Sequence, residues 1–221
     1  MPPLAVIFDM DGVLVDSYHA HYESWKHLYG ELGVEYSEEA FGADFGRTSR
    51  DIIRRTLGDD LTDQRVAEMD RHKEEVYRDI LRANFPAMDG ASELIHALAE
   101  DGFRLAIGSS GPPENVALVL ECLAGGQRFD ATVTADDVTR GKPDPQVFLL
   151  AAERLRVPPA ACAVVEDAVH GITAAKRAGM AAIGLTGTLQ RDELAAADAV
   201  VDSLRQLSPE RIRALIVSRT T

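Results

Sequence analysis

Cysteine is nearly missing from this chain of 221 residues: only Cys122 and Cys162 occur, each with an apolar residue next to it. That excludes a disulfide framework and predicts two small buried thiols in a reducing, cytoplasmic setting. Positive charge is also short, with 23 Lys and Arg against 36 Asp and Glu and a formal net charge of -13. A sequence-independent grip on nucleic acid or an anionic membrane would work against that field, so neither is an expected partner. No apolar run reaches transmembrane length, and MPPLAVIFDMDG has no basic segment ahead of its apolar residues, so no secretory signal is expected. Low-complexity tracts and heptad or collagen-like repeats are absent too. What remains is ordinary globular usage, 46% hydrophobic and 27% charged, in a length that suits one core with a modest insertion.

Short apolar runs at Leu4 to Phe8, Leu105 to Ile107, Ala131 to Val133, Ala163 to Val165, Ala181 to Leu185 and Ala199 to Val201 predict strands. Helical patterns fall between them at Ser92 to Glu100, Pro113 to Leu123, Gln146 to Leu155, Val169 to Ala178 and Ser208 to Val217. Apolar strands without alternation, separated by helices, imply an α/β fold with a doubly wound, Rossmann-like parallel sheet. From residue 17 to residue 86 the rhythm is helical throughout. Trp25, Leu28, Tyr29 and Leu32 form one stripe, and Val66, Met69, Val76 and Ile80 form another. Gly33 and Gly58 are expected helix stops. Residues 17–86 therefore read as a helical domain inserted into a core made of 1–16 and 87–221, at a strand's carboxyl end, where it could serve as a lid.

Asp9-Met10-Asp11-Gly12 closes the first strand. Two carboxylates so spaced can share one side of the backbone, one to attack phosphorus and one to move the proton; Asp-Gly is also common turn chemistry. Glu166 and Asp167 close the fourth strand, and acids gathered in one crevice call for a cation, magnesium by preference for oxygen ligands. They also suit the N-terminus of the helix that follows. Ser109, Ser110 and Gly111, ahead of two prolines and a helix, offer a phosphate cradle or simply an N-cap. Lys142, in Gly141-Lys142-Pro143-Asp144-Pro145, is either a charge partner for phosphate or a solvent-facing lysine.

These four motifs, DMDGVLVDS from Asp9, Ser109 after an apolar strand, Lys142 in GKPDP, and VVEDAVHGITAAKRAG from Val164, resemble the haloacid dehalogenase superfamily, in its subfamily with a helical cap after the first motif. The resemblance spans nearly the whole chain. It implies Asp9 as nucleophile and magnesium ligand, and Asp11 as general acid/base with its carbonyl on the metal. It further implies Ser109 and Lys142 on the phosphoryl oxygens, Asp167 as a metal ligand, and Glu166 as a ligand or a holder of metal-bound water. Gly171, Ala174, Ala175 and Ala178 would allow close helix packing, with Gly179 ending that helix. His170 reads as surface.

Within the superfamily the chain is similar to beta-phosphoglucomutases and to phosphatases of the phosphoglycolate phosphatase type. The implied substrate is a small phosphorylated metabolite, a sugar phosphate or a phosphoglycolate-like molecule. His21 resembles the histidine of the mutase-type first cap helix. In Asp44-Phe45-Gly46-Arg47-Thr48-Ser49-Arg50, Phe45 and Ser49 stand where the mutase pattern has lysine and arginine, while Gly46, Arg47 and Arg50 remain candidates to hold substrate. Hydrolysis through an aspartyl-phosphate is thus expected over a sugar-phosphate mutase. A dehalogenase or a phospho-accepting signalling protein fits less well, the first because Asp11 and the metal acids are superfluous to it. Lys26 and Lys73 would matter only to a phosphonatase using a Schiff base.

Overall fold

A computed structural model describes residues 3–44 and 47–219. Among these residues six strands form one sheet: β1 (Ala5–Phe8), β2 (Arg104–Gly108), β3 (Ala131–Val133), β4 (Cys162–Glu166), β5 (Ala181–Leu185) and β6 (Ala199–Val201). All pairings are parallel, in the order β3-β2-β1-β4-β5-β6. Every residue of β1, β4 and β5 is buried, which is why these runs are apolar without alternation. The helices of this unit are α5 (Ala91–Glu100), α6 (Pro113–Cys122), α7 (Gln146–Leu155), α8 (Val169–Arg177) and α9 (Pro209–Ser218). The doubly wound α/β expectation is borne out.

Chain direction across the sheet reverses between β1 and β4. Order 3-2-1-4-5-6 leaves a crevice beyond the carboxyl ends of the strands at that reversal, where open α/β sheets place their ligands. The ladder continues past β1, with Asp9 N donating to Val165 O at 2.9 Å. After Asp9 the chain folds tightly, and Leu14 N returns to Met10 O.

The chain divides into two compact units, Met1–Asp16 with Pro86–Thr221, and Ser17–Phe85. Pro86 falls with the α/β unit because its carbonyl accepts from Asp16 N at 2.8 Å, beside a bridge between Val15 and Ala87. The second unit holds α1 (Tyr18–Glu31), α2 (Glu38–Asp44), α3 (Ser49–Leu57) and α4 (Asp63–Ala83). Its core gathers Trp25, Leu28, Tyr29, Phe41, Ile53 and Met69 among others. Gly33 follows α1 with φ +70° and Gly58 ends α3 with φ +100°.

Two expected stripes shift. Leu32 is exposed because α1 has ended there, and the buried line of α4 runs Val66, Met69, Lys73, Tyr77, Leu81 instead of through Val76 and Ile80. An unpaired buried ammonium costs several kcal/mol, roughly what burying two large apolar side chains returns. Lys73 is accommodated by Glu74 at 2.8 Å, His21 Nδ1 at 2.9 Å and the rings of Trp25 and Tyr77. The two thiols also part company: Cys162 is buried as expected, whereas Cys122, the last residue of α6, is exposed while Val119 and Leu123 take the inward positions.

Candidate active site

The strand register assembles the site. Phe8 pairs with Val165, so Asp9 and Glu166 emerge side by side, with Asp167 one residue on. Asp9, Glu166 and Asp167 are all buried, and one oxygen from each lies within 4.8 Å of the others. Lys142 Nζ enters this cluster, 2.6 Å from Asp9 Oδ1 and 2.8 Å from Glu166 Oε1, and lies 4.9 Å from the Phe148 ring centre. Three carboxylates against one ammonium leave the buried group short of positive charge.

That imbalance shifts the acid–base equilibria of the group. Burial pushes the Asp9 carboxyl up to about 7, with Glu166 and Asp11 adding to the rise and Lys142 opposing it. Burial also raises Asp167, helped by Glu166 and Asp9. For Lys142, burial favours the neutral amine, but Asp9 and Glu166 outweigh it and hold the ammonium above its ordinary range. An all-oxygen set of buried acids with too few cations is the environment a hard divalent ion occupies. The residues fit magnesium.

Local structure fixes each group. Glu166 Oε2 accepts from Ala168 N, just ahead of α8, at 2.7 Å, leaving Oε1 for Lys142. The loop carrying Lys142 is tied down by Gln146, whose side-chain oxygen accepts from Thr139 N and Arg140 N, and by Arg177, which donates to Pro143 O. Two glycines make room. A methyl group on Gly171 would lie 1.6 Å from Glu166 Oε1, and one on Gly12, whose φ is +72°, would lie 2.0 Å from Asp167 Oδ2.

Among the remaining residues singled out in the sequence, Ser109 is buried at the end of β2 and accepts from Gly111 N at 2.9 Å, while Ser110 is exposed. The Asp11 side chain is half-buried and lies outside the three-carboxylate cluster. His170 is exposed. The helical unit holds the others: His21 stacks on Tyr77 at 4.2 Å, Arg47 is exposed with its Nε 3.7 Å from Asp44, and Arg50 is exposed. Gly46 and its neighbour Phe45 lie outside the described residues.

Sequence reasoning missed Thr188, whose hydroxyl donates to Asp167 Oδ2 at 2.5 Å. The signal available was its place in Thr186-Gly187-Thr188, just past β5 at the same end of the sheet. The sequence also gave no reason to bury Lys73.

A parallel sheet that presents buried carboxylates and a lysine at its switch point is the framework of an α/β enzyme. The chain belongs to the haloacid dehalogenase-like hydrolase family, whose profile matches residues 3–179. It is 35% identical over 204 residues to validoxylamine A 7'-phosphate phosphatase of Streptomyces hygroscopicus subsp. limoneus, covering 91% of this chain and 94% of that one. It is 31% identical over 213 residues to beta-phosphoglucomutase of Bacillus subtilis (strain 168), covering 93% and 92%. Its fold superposes on a HAD hydrolase of family IA, variant 3, from Entamoeba histolytica HM-1:IMSS with a TM-score of 0.89 and 27% identity, covering 97% and 99% of the two chains.

Proposed function

We propose that this protein is a magnesium-dependent phosphatase of small phosphorylated metabolites, working through a phosphorylated Asp9. The observation that carries the reading is the buried cluster of Asp9, Glu166 and Asp167 closed around Lys142 at the sheet's switch point. In the first step an Asp9 oxygen bonds to phosphorus while the bond from phosphorus to the substrate's ester oxygen breaks, and Asp11 gives that oxygen a proton. In the second, Asp11 takes a proton from water as the water oxygen attacks phosphorus and Asp9 leaves as carboxylate.

Such a transition state is loose and highly charged, so alignment and positive charge are the main requirements. Lys142 supplies one charge and keeps Asp9 oriented, and Ser109 would meet a phosphoryl oxygen. Asp9 and Asp167, with the Asp11 carbonyl, would hold magnesium, which supplies further charge to the phosphoryl oxygens when bound. With both oxygens engaged by Lys142 and Ala168 N, Glu166 suits holding metal-bound water better than direct ligation. The helical unit, inserted after β1, would act as a cap that excludes water and selects the substrate, with His21, Gly46, Arg47 and Arg50 as its candidate contacts.

Both curated relatives are named for phosphorylated small molecules, one a phosphatase and the other a mutase. Phe45 and Ser49, in place of the lysine and arginine of the mutase pattern, favour water as the acceptor. The test is phosphate release across sugar phosphates, phosphoglycolate, glycerol phosphates and nucleotides, with and without magnesium. Turnover is expected only with the metal and is expected to vanish in Asp9→Asn. Release that persists in that variant would refute the mechanism, and interconversion of hexose 1- and 6-phosphates primed by a bisphosphate would replace hydrolysis with the mutase reaction.

A further inference from the structure

The helical unit carries a second group of donor atoms, distinct from every residue assigned above. On α1, His19, Glu23, His27 and Glu31 recur at four-residue intervals, which aligns them along one helix face. α4 runs antiparallel beside α1: His21 stacks on Tyr77, whereas Leu32 shares a groove with Arg65 and Met69. This direction brings His72 of α4 to the carboxyl end of α1. His72 Nε2 lies 2.8 Å from Glu31 Oε2, and His27 Nε2 lies 3.3 Å from Glu31 Oε1. The two imidazole rings are 6.2 Å apart, and one donor atom from each of the three residues lies within 4.8 Å of the others.

A simple ion pair needs one cation for one carboxylate. Here a single carboxylate meets two imidazoles, one on each oxygen, and both through Nε2. Two imidazole nitrogens and a carboxylate oxygen are a donor set that zinc takes when it keeps a fourth position open. Imidazole nitrogen also turns the choice from magnesium toward the first-row divalent ions. Bond lengths of about 2.0–2.2 Å put tetrahedral ligands about 3.3–3.6 Å apart, so the separations here close by small rotamer changes of three half-exposed side chains on packed helices. The other nitrogen of His72, Nδ1, stands 4.0 Å from Glu75 Oε2, near enough for that carboxylate to swing in and orient a ligating imidazole.

We infer that His27, Glu31 and His72 form a binding site for a first-row divalent metal ion, zinc by preference, that clamps α1 to α4 and is separate from the carboxylate cluster at Asp9. Zinc titrated into the full-length protein against a chromophoric chelator, in excess magnesium, should occupy one site at micromolar affinity or tighter. Replacing both imidazoles, His27→Ala with His72→Ala, should abolish binding at micromolar zinc and Glu31→Gln should weaken it, while Asp9→Asn should leave it unchanged. Cobalt in place of zinc should give the intense visible bands of a low-coordinate site, and these should disappear in the same variants. The replaced side chains are half-exposed, so the variants should keep the wild-type circular dichroism. Zinc held with wild-type affinity by the double histidine variant, or bound only at millimolar concentration, would overturn the assignment.

Discussion

Gly171 is defined by what a methyl group would meet there. The 1.6 Å approach to Glu166 Oε1 cannot be relieved without moving the carboxylate that braces Lys142 and accepts from Ala168 N. Gly171→Ala should therefore leave the sheet folded and lower magnesium affinity by about tenfold or more, the usual consequence of disturbing groups behind a metal site; calorimetric titration reads it directly. Asp9 makes a different prediction. Its carboxyl is raised to about 7 in the metal-free fold against an ordinary 3.8, so the folded protein keeps a proton that the unfolded chain has lost. The stability this provides is full below pH 3.8 and is lost as pH rises through 7. Magnesium should then expel protons on binding, with affinity climbing between pH 6 and 8. Titrations in two buffers of different ionisation enthalpy should show proton release in the wild type and less in Asp9→Asn.

Among the elements, α4 is the most instructive. Its buried line passes through Lys73, so an apolar stripe drawn from sequence settled on Val76 and Ile80, one position away from the true contacts Tyr77 and Leu81. No local rule buries a lysine; its partners His21 and Trp25 lie about fifty residues back. Lys73→Ala, which removes a buried ammonium and empties the space between Trp25 and Tyr77, should cost about 3–5 kcal/mol in urea unfolding, and Lys73→Met should recover most of it by refilling the space. The strands, by contrast, were legible to within a residue or two, because burial on both faces writes itself as an unbroken apolar run. The same holds for the carboxylates at the ends of β1 and β4, whose meeting follows from strand adjacency. Thr188 was not legible, since its contact with Asp167 depends on where β5 stops, and neither was the outward turn of Cys122 at the last residue of α6.

For the whole molecule, the point of insertion matters most. The chain leaves the α/β unit after Asp16 and re-enters at Pro86, and those two residues are hydrogen-bonded at 2.8 Å. Removing 17–85 and joining the ends by a short glycine linker should therefore leave a folded unit, since closing a short loop between adjacent ends adds little entropic cost. That unit should bind magnesium within a few-fold of the intact protein. Its turnover of the best substrate should fall by about 100-fold or more if the helical unit does exclude water and orient substrate. Calorimetry and phosphate release on the excised protein separate the two outcomes.

The amide of Asp9 is bonded into the ladder of the sheet through Val165, between two strands that are themselves central. Groups so placed exchange their hydrogens only when the molecule opens globally. The backbone bearing the proposed nucleophile thus has no fraying of its own, and heat should silence this enzyme at the temperature where the sheet itself comes apart.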